Sequence, residues 1–168
     1  MALTAGHCLE GRSAARVRLA GSAHGAFVAV ERFWFDPRRQ KGSPTVDHRS
    51  ADVAVLLLGR PIALPSYPEI ARRPAPGSIA ATGLRRSGDQ IETTTLRLQP
   101  PLGSAYYVSE GFAKPGDSGG PVYFVSRTGK RMVIAVTAGG SDEREVLTRV
   151  DLVSEAIDRA IEMGATGS

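Results

Sequence analysis

Gly116-Asp117-Ser118-Gly119-Gly120-Pro121 frames a serine with small, acidic and conformationally free residues. This frame makes a poor ordinary turn and a good mount for a nucleophile, because glycines admit positive φ and let backbone N–H groups approach another atom closely. In such a loop the N–H groups of Gly116 and Ser118 can converge about 3 Å from the Ser118 hydroxyl, where an oxyanion develops in acyl transfer. A serine hydroxyl alone is a weak nucleophile, so the chemistry also demands a base and a group that orients it. Upstream, Leu3-Thr4-Ala5-Gly6-His7-Cys8 offers a histidine, and Ala51-Asp52-Val53-Ala54-Val55-Leu56-Leu57-Leu58 an aspartate that opens a long apolar run.

Plainer readings stand beside these. His7 can be a satisfied structural histidine and Ser118 a turn serine. Asp47 and His48 can form a loop pair that competes with Asp52. Asp52 is preferred because an acid at the mouth of an apolar strand needs a buried partner, which His7 can supply. His24 and His48 read as surface loop residues.

Taken in order, T-A-G-H-C around His7, D-V-A-V-L-L from Asp52 and G-D-S-G-G-P around Ser118 make the chain resemble the trypsin-like (chymotrypsin-fold) serine proteases. The order His, Asp, Ser differs from that of subtilisin and of the α/β-hydrolases. Val146-Leu147-Thr148-Arg149-Val150, followed by a terminal helix, extends the likeness. The resemblance implies an all-β fold, a double six-stranded antiparallel β-barrel with a C-terminal α-helix. It implies a serine endopeptidase with His7, Asp52 and Ser118 as catalytic triad, and Gly116 and Ser118 as oxyanion hole. It further implies a monomeric, secreted protein acting on protein or peptide substrates without cofactor or metal. A general esterase with the same triad and a catalytically silent binding module are the alternatives.

Other positions take their roles only from this resemblance. Phe112, six residues before Ser118, stands at the floor of the primary pocket, where an aspartate would imply specificity for arginine or lysine. Phe112 can equally belong to the core. Val136-Thr137-Ala138-Gly139 resembles the strand that pairs with the substrate backbone, which makes Thr137, Ala138 and Gly139 substrate-binding candidates. Glu145 reads either as a buried acid reaching the pocket or as a surface residue. In relatives activated by cleavage, the acid matching Asp117 pairs with a new α-amino group; here it must find an arginine or backbone donors, or stay poorly paired. Met1 lies six residues before His7, where the resemblance implies two earlier strands, so the first barrel is expected to be incomplete, a fragment being preferred over a short natural variant. Cys8 lacks any partner for an intrachain disulfide and reads as a small core hydrophobe.

The bulk properties fit a chain of this kind. At 168 residues with 42% hydrophobic residues it can bury a core as one domain or two small barrels. Its formal charge of +4 comes from scattered arginines without aromatic interleaving, which argues against a nucleic-acid surface. No apolar stretch approaches bilayer length, so no membrane association is expected. No cluster of His, Cys and acids has metal-ligand spacing.

The elements that must position the three motifs are short strands between turn residues. Arg16 to Leu19, Phe27 to Phe35 and the run from Val53 belong to the remainder of a first barrel over 1–60, with a turn at Gly21 to Gly25 and a polar loop at Arg38 to Ser50. Five prolines mark an inter-barrel connection over 61–76. A second barrel over 77–150 holds strands at Ser78 to Leu84, Ile91 to Leu98, Ala105 to Val108, Val122 to Val125, Met132 to Val136 and Val146 to Val150. From Leu152 the apolar residues Leu152, Val153, Ala156, Ile157, Ala160 and Ile161 fall at helical spacing, predicting a helix over 151–163 with Asp151 as N-cap and Gly164 as stop.

Overall fold

A computed structural model describes residues 1–19, 26–35, 50–75, 80–87, 90–99 and 105–165. The expectations for His24, Asp47, His48 and the turn at Gly21 to Gly25 fall outside them.

The apolar run after Asp52 becomes β4 (Val53–Leu58), and its composition follows from burial on both faces. Val53 and Val55 enter the main core, while Ala54 and Leu56 pack with Leu9 in a smaller cluster on the other side. β4 is central in a four-stranded antiparallel sheet ordered β1-β4-β3-β2. The others are β1 (Ala2–Ala5), β2 (Arg16–Val17) and β3 (Val28–Phe35). One strand does lead directly into His7, of the two that the resemblance implies there, because Leu3 and Ala5 pair with Val55 and Val53 of β4.

The second sheet has seven strands. Six run in the order β7-β6-β9-β10-β11-β8, and β5 joins the side of β10. They are β5 (Glu69–Ile70), β6 (Ala80–Ser87), β7 (Gln90–Arg97), β8 (Tyr106–Glu110), β9 (Pro121–Val125), β10 (Arg131–Gly140) and β11 (Arg144–Arg149). The row curls until its ends meet, the Gln99 N–H donating to the Val108 carbonyl at 3.0 Å. β5 lies within the proline-rich connection and pairs with β10 in parallel, Met132 opposite Glu69 and Val133 opposite Ile70. The Ala71 N–H continues this pairing to Val133 O at 2.9 Å.

A single main core joins both sheets. It contains Val53 and Val55 of β4, Val122, Val136 and Leu147 of the second sheet, and Val153, Ile157 and Ala160 from the C-terminal segment. That segment begins as a 3-10 turn at Asp151–Val153 and continues as α1 (Ser154–Ala165). Asp151 does not cap the helix as predicted. The residue preceding the turn is Val150, and the Asp151 carboxylate instead accepts two bonds from the Arg149 guanidinium, at 3.1 and 2.7 Å. Gly164 does not end the helix either, since Ala165 is its last residue. Leu152 and Ile161, predicted on the apolar face, are exposed. The helix is covered on one side only, so residues at the margin of its apolar arc stay in water.

α1 follows a strand of the second sheet yet packs on β4 of the first, which makes it a strap across the two. Ile157 is fully buried in the main core shared with β4, whereas Ile161 is 50% exposed. Ile157→Ala is expected to cost about 2–5 kcal/mol and lower the melting temperature clearly, while Ile161→Ala changes stability by less than about 0.5 kcal/mol, as checked by thermal or urea unfolding.

Candidate active site

The β1–β4 register delivers His7 to Asp52. Ala5 lies opposite Val53, so the next residues along each strand face one another, and the Gly6 N–H donates to Asp52 O at 3.1 Å. The chain then tightens into a 3-10 turn at Gly6–Leu9 that turns the His7 side chain back over Asp52. The His7 backbone N–H donates to Asp52 Oδ1 at 2.8 Å, and the ring Nδ1–H donates to Oδ2 at 2.7 Å. Both carboxylate oxygens thus grip one residue. The Asp52 side chain is 12% exposed and the His7 side chain 34%, so the pair sits at a wet rim with its acid on the inner side.

This grip raises the basicity of the ring. The Asp52 hydrogen bond, helped by the Cys8 sulfur, pushes the His7 pKa up to about 10, against a smaller lowering from burial. Donation from Nδ1 also fixes the orientation of the ring and leaves Nε2 as its free end. There the structure places Cys8 Sγ at 3.7 Å. The same sulfur lies 3.8 Å from the Ser118 carbonyl oxygen. Cys8 is therefore not the core hydrophobe expected from the sequence but a half-buried thiol wedged between histidine and serine, and its neighbour His7 holds its pKa below the ordinary thiol range. No direct hydrogen bond joins His7 and Ser118 among the described residues.

Ser118 comes from the opposite sheet, on the loop entering β9. Gly119 sits at φ +83°, and a Cβ there would collide with Thr4 Oγ1 and stand 2.9 Å from the Ala5 nitrogen. Only glycine lets the loop lie this close to β1. Reciprocal backbone bonds fix it to β10, Gly119 N–H to Thr137 O at 2.7 Å and Thr137 N–H to Gly120 O at 2.9 Å. Asp117, buried, closes the loop from inside. Its Oδ1 accepts the Arg86 N–H and its Oδ2 the Lys114 N–H, each at 2.8 Å. Of the partners open to Asp117, the structure supplies backbone donors.

The loop's own amides divide in two groups. Those of Asp117, Gly119 and Gly120 donate to Lys114 O, Thr137 O and Asp117 O. Those of Gly116 and Ser118 donate to no acceptor among the described residues. Gly116 takes φ +101° and is exposed. These two N–H groups are the pair singled out from the sequence as an oxyanion hole.

The expected specificity residues are placed less uniformly. The Phe112 ring packs on the main core and covers Gly83, where a Cβ would come within 2.7 Å of it, which favours its core reading. Thr137 is buried with both backbone groups engaged by the Ser118 loop. Ala138 sits in a bulge of the β10–β11 ladder, and it and Gly139 are half-buried. Glu145 is buried rather than on the surface, and burial pushes its carboxyl above the usual range.

Comparison with known proteins gives one family match. A family model described as Trypsin matches residues 1–157. No curated protein matches the chain.

The raised basicity of His7 has a direct readout. Its imidazole resonances are expected to titrate with a midpoint well above 6.5. Asp52→Asn removes the largest cause and returns the midpoint toward the ordinary value, and Cys8→Ala lowers it by a smaller amount. NMR titration of the three proteins checks both the sign and the ranking.

Proposed function

The chain belongs to the trypsin family, the chymotrypsin-fold proteases, and on that premise we propose that it is a serine endopeptidase in which His7, Asp52 and Ser118 form the catalytic triad. The observation that carries this reading is the two-point grip of Asp52 on His7, through Oδ1 to the backbone N–H and Oδ2 to the ring.

In the proposed reaction Ser118 Oγ attacks the scissile carbonyl carbon while its proton passes to His7 Nε2. The carbonyl π pair moves onto oxygen, and the N–H groups of Gly116 and Ser118 receive this oxyanion. His7 then protonates the leaving nitrogen, the C–N bond breaks and an ester to Ser118 remains. Water attacks this ester, giving a proton to His7, and collapse of the second tetrahedral adduct returns that proton to Ser118 Oγ as the acid leaves. Asp52 stays ionised throughout, orienting the ring and stabilising the transient imidazolium. Ala138 and Gly139, beside the bulge, are proposed to pair with the substrate backbone, with Thr137 anchoring them to the Ser118 loop. Secretion and a monomeric state remain proposals that rest on the family.

One observation favours the second reading, a catalytically silent binding module. His7 Nε2 meets the Cys8 sulfur where the mechanism requires the serine hydroxyl. For catalysis the thiol must yield this place to Ser118. The same free ring nitrogen requires an unprotonated imidazole, so activity is expected to rise with pH as His7 loses its proton.

Labelling by a fluorophosphonate separates the two readings. The hydrolase reading expects covalent modification that disappears in Ser118→Ala, and peptide turnover that falls by about 10⁴-fold in Asp52→Asn. Cys8→Ala, which clears the space before Nε2, is expected to label at least as fast as the parent. Absence of labelling in both the parent and Cys8→Ala supports the silent module. Peptide and ester substrates compared side by side distinguish an endopeptidase from an esterase.

A further inference from the structure

Beyond β5 the connection between the sheets is pinned at two points. The Ala71 N–H donates to Val133 O at 2.9 Å, and the Ala75 N–H donates to the Tyr107 hydroxyl at 2.7 Å. Between these bonds the chain arches through Arg72, Arg73 and Pro74, all exposed, and Pro74 has no N–H with which to extend the pairing. A cavity of about 430 Å³ lies between this arch and the strands β9 and β10. That volume falls within the range of small-molecule sites, roughly 300–1,000 Å³.

Its walls are apolar. Ala71 and Ile134, both buried, line its deep part, and Ile70, Phe124 and Met132 form its sides. Each of these three packs partly on the main core and leaves the remainder of its side chain to the cavity. Phe124 lies opposite Met132 in the β9–β10 ladder, so the two side chains stand together on one face of the sheet. The charged residues at the cavity are Glu69, Arg72 and Arg73. Glu69 accepts a bond from Lys130 Nζ at 2.8 Å, and Arg72 pairs with Asp158 of α1. Arg73 has no ion pair or hydrogen bond among the described residues. One positive charge is therefore left uncompensated beside an apolar hollow.

We propose that this cavity binds a medium-chain fatty acid, with the alkyl chain between the arch and Phe124 and Met132 and the carboxylate on Arg73. The chain takes apolar wall out of water, which is what half-exposed Ile70, Phe124 and Met132 lack. The head suits the cation, because a guanidinium presents a planar fork that matches both oxygens of a carboxylate. A neutral amphiphile of equal length forgoes that pairing, and a cationic one meets a like charge. A single alkyl chain is also narrow enough to reach Ala71 and Ile134. Because the arch is held at Ala71 and Ala75, the site exists before the ligand arrives, and little ordering opposes binding. None of these residues belongs to the triad or its loop, so the site does not depend on the hydrolase reading.

The test is NMR titration of the full chain with sodium decanoate below its micelle concentration, followed through backbone amides. Decanoate is expected to shift the amides of Ala71, Arg73 and Ile134 and to leave those of Ala5 and Gly6 in place. Octanoate should bind about fifteenfold more weakly, two methylenes at about fourfold each. Decanol should bind about tenfold more weakly than decanoate, the share of the charged pair. Arg73→Glu, at an exposed position, is expected to abolish that preference and to favour decylammonium instead. Decanoate should also raise the melting temperature of the parent in a concentration-dependent way, and not that of Arg73→Glu. Equal binding of decanoate and decanol overturns the proposal, as does a decanoate preference that survives in Arg73→Glu or a titration in which Ala71 and Ile134 do not move. Shifts on this face that follow protein concentration without any ligand would give it to a second copy of the chain, and overturn the proposal equally.

Discussion

The candidate site exists only because two sheets touch, and they touch at the Ser118 loop where there is no room for a side chain. His7 and Asp52 are built by the β1–β4 ladder of the first sheet, Ser118 by the loop before β9 of the second. Gly119 lies against Thr4 and Ala5 with its N–H bonded to Thr137. A methyl group at that point would clash with Thr4 and the Ala5 amide of β1 and push the Ser118 loop away from His7. The shared core and α1 hold the two sheets together, but this glycine fixes how close the Ser118 loop comes to His7.

Asp117 serves the same end by a different means. Its carboxylate collects two backbone amides, from Arg86 on β6 and from Lys114 at the start of its own loop. The loop shape is thereby maintained from within the second sheet, and the amides of Gly116 and Ser118 stay out of the internal network. This accommodation relies on donors fixed in the backbone, which no substitution other than proline removes directly.

What could be read in the sequence followed from how local the cause was. β4 was legible because a strand buried on both faces leaves an unbroken apolar run, and the frames of His7, Asp52 and Ser118 carry their geometry in a few adjacent residues. The partners of Asp117 were not, since Arg86 contributes only its amide, and that depends on where the β6 hairpin passes. Cys8 next to the His7 ring was equally hidden: a cysteine after a histidine carries no sign of which way its sulfur points. The helix start was set one turn early because Asp151, a good cap by type, turns its carboxylate to the Arg149 guanidinium instead. Glu145 illustrates the general case, its identity plain and its burial set by β8 at Ser109 and by the loop at Ala113, both more than thirty residues earlier in the chain.

The short parallel pairing of β5 with β10 changes how the connection between the sheets should be regarded. Because the Gly59 N–H is held by Ala29 of β3 and Glu69, Ile70 and Ala71 are fastened to the second sheet, the chain that actually spans between the sheets runs from Arg60 to Pro68. It acts as a short tether that presents one half to the other at high effective concentration. Cutting it would leave β5 in place and each sheet's own ladders intact, yet would turn the Gly119 contact into one maintained by the shared core and the α1 strap alone. Assembly of the site would then gain a dependence on dilution that the continuous chain does not have.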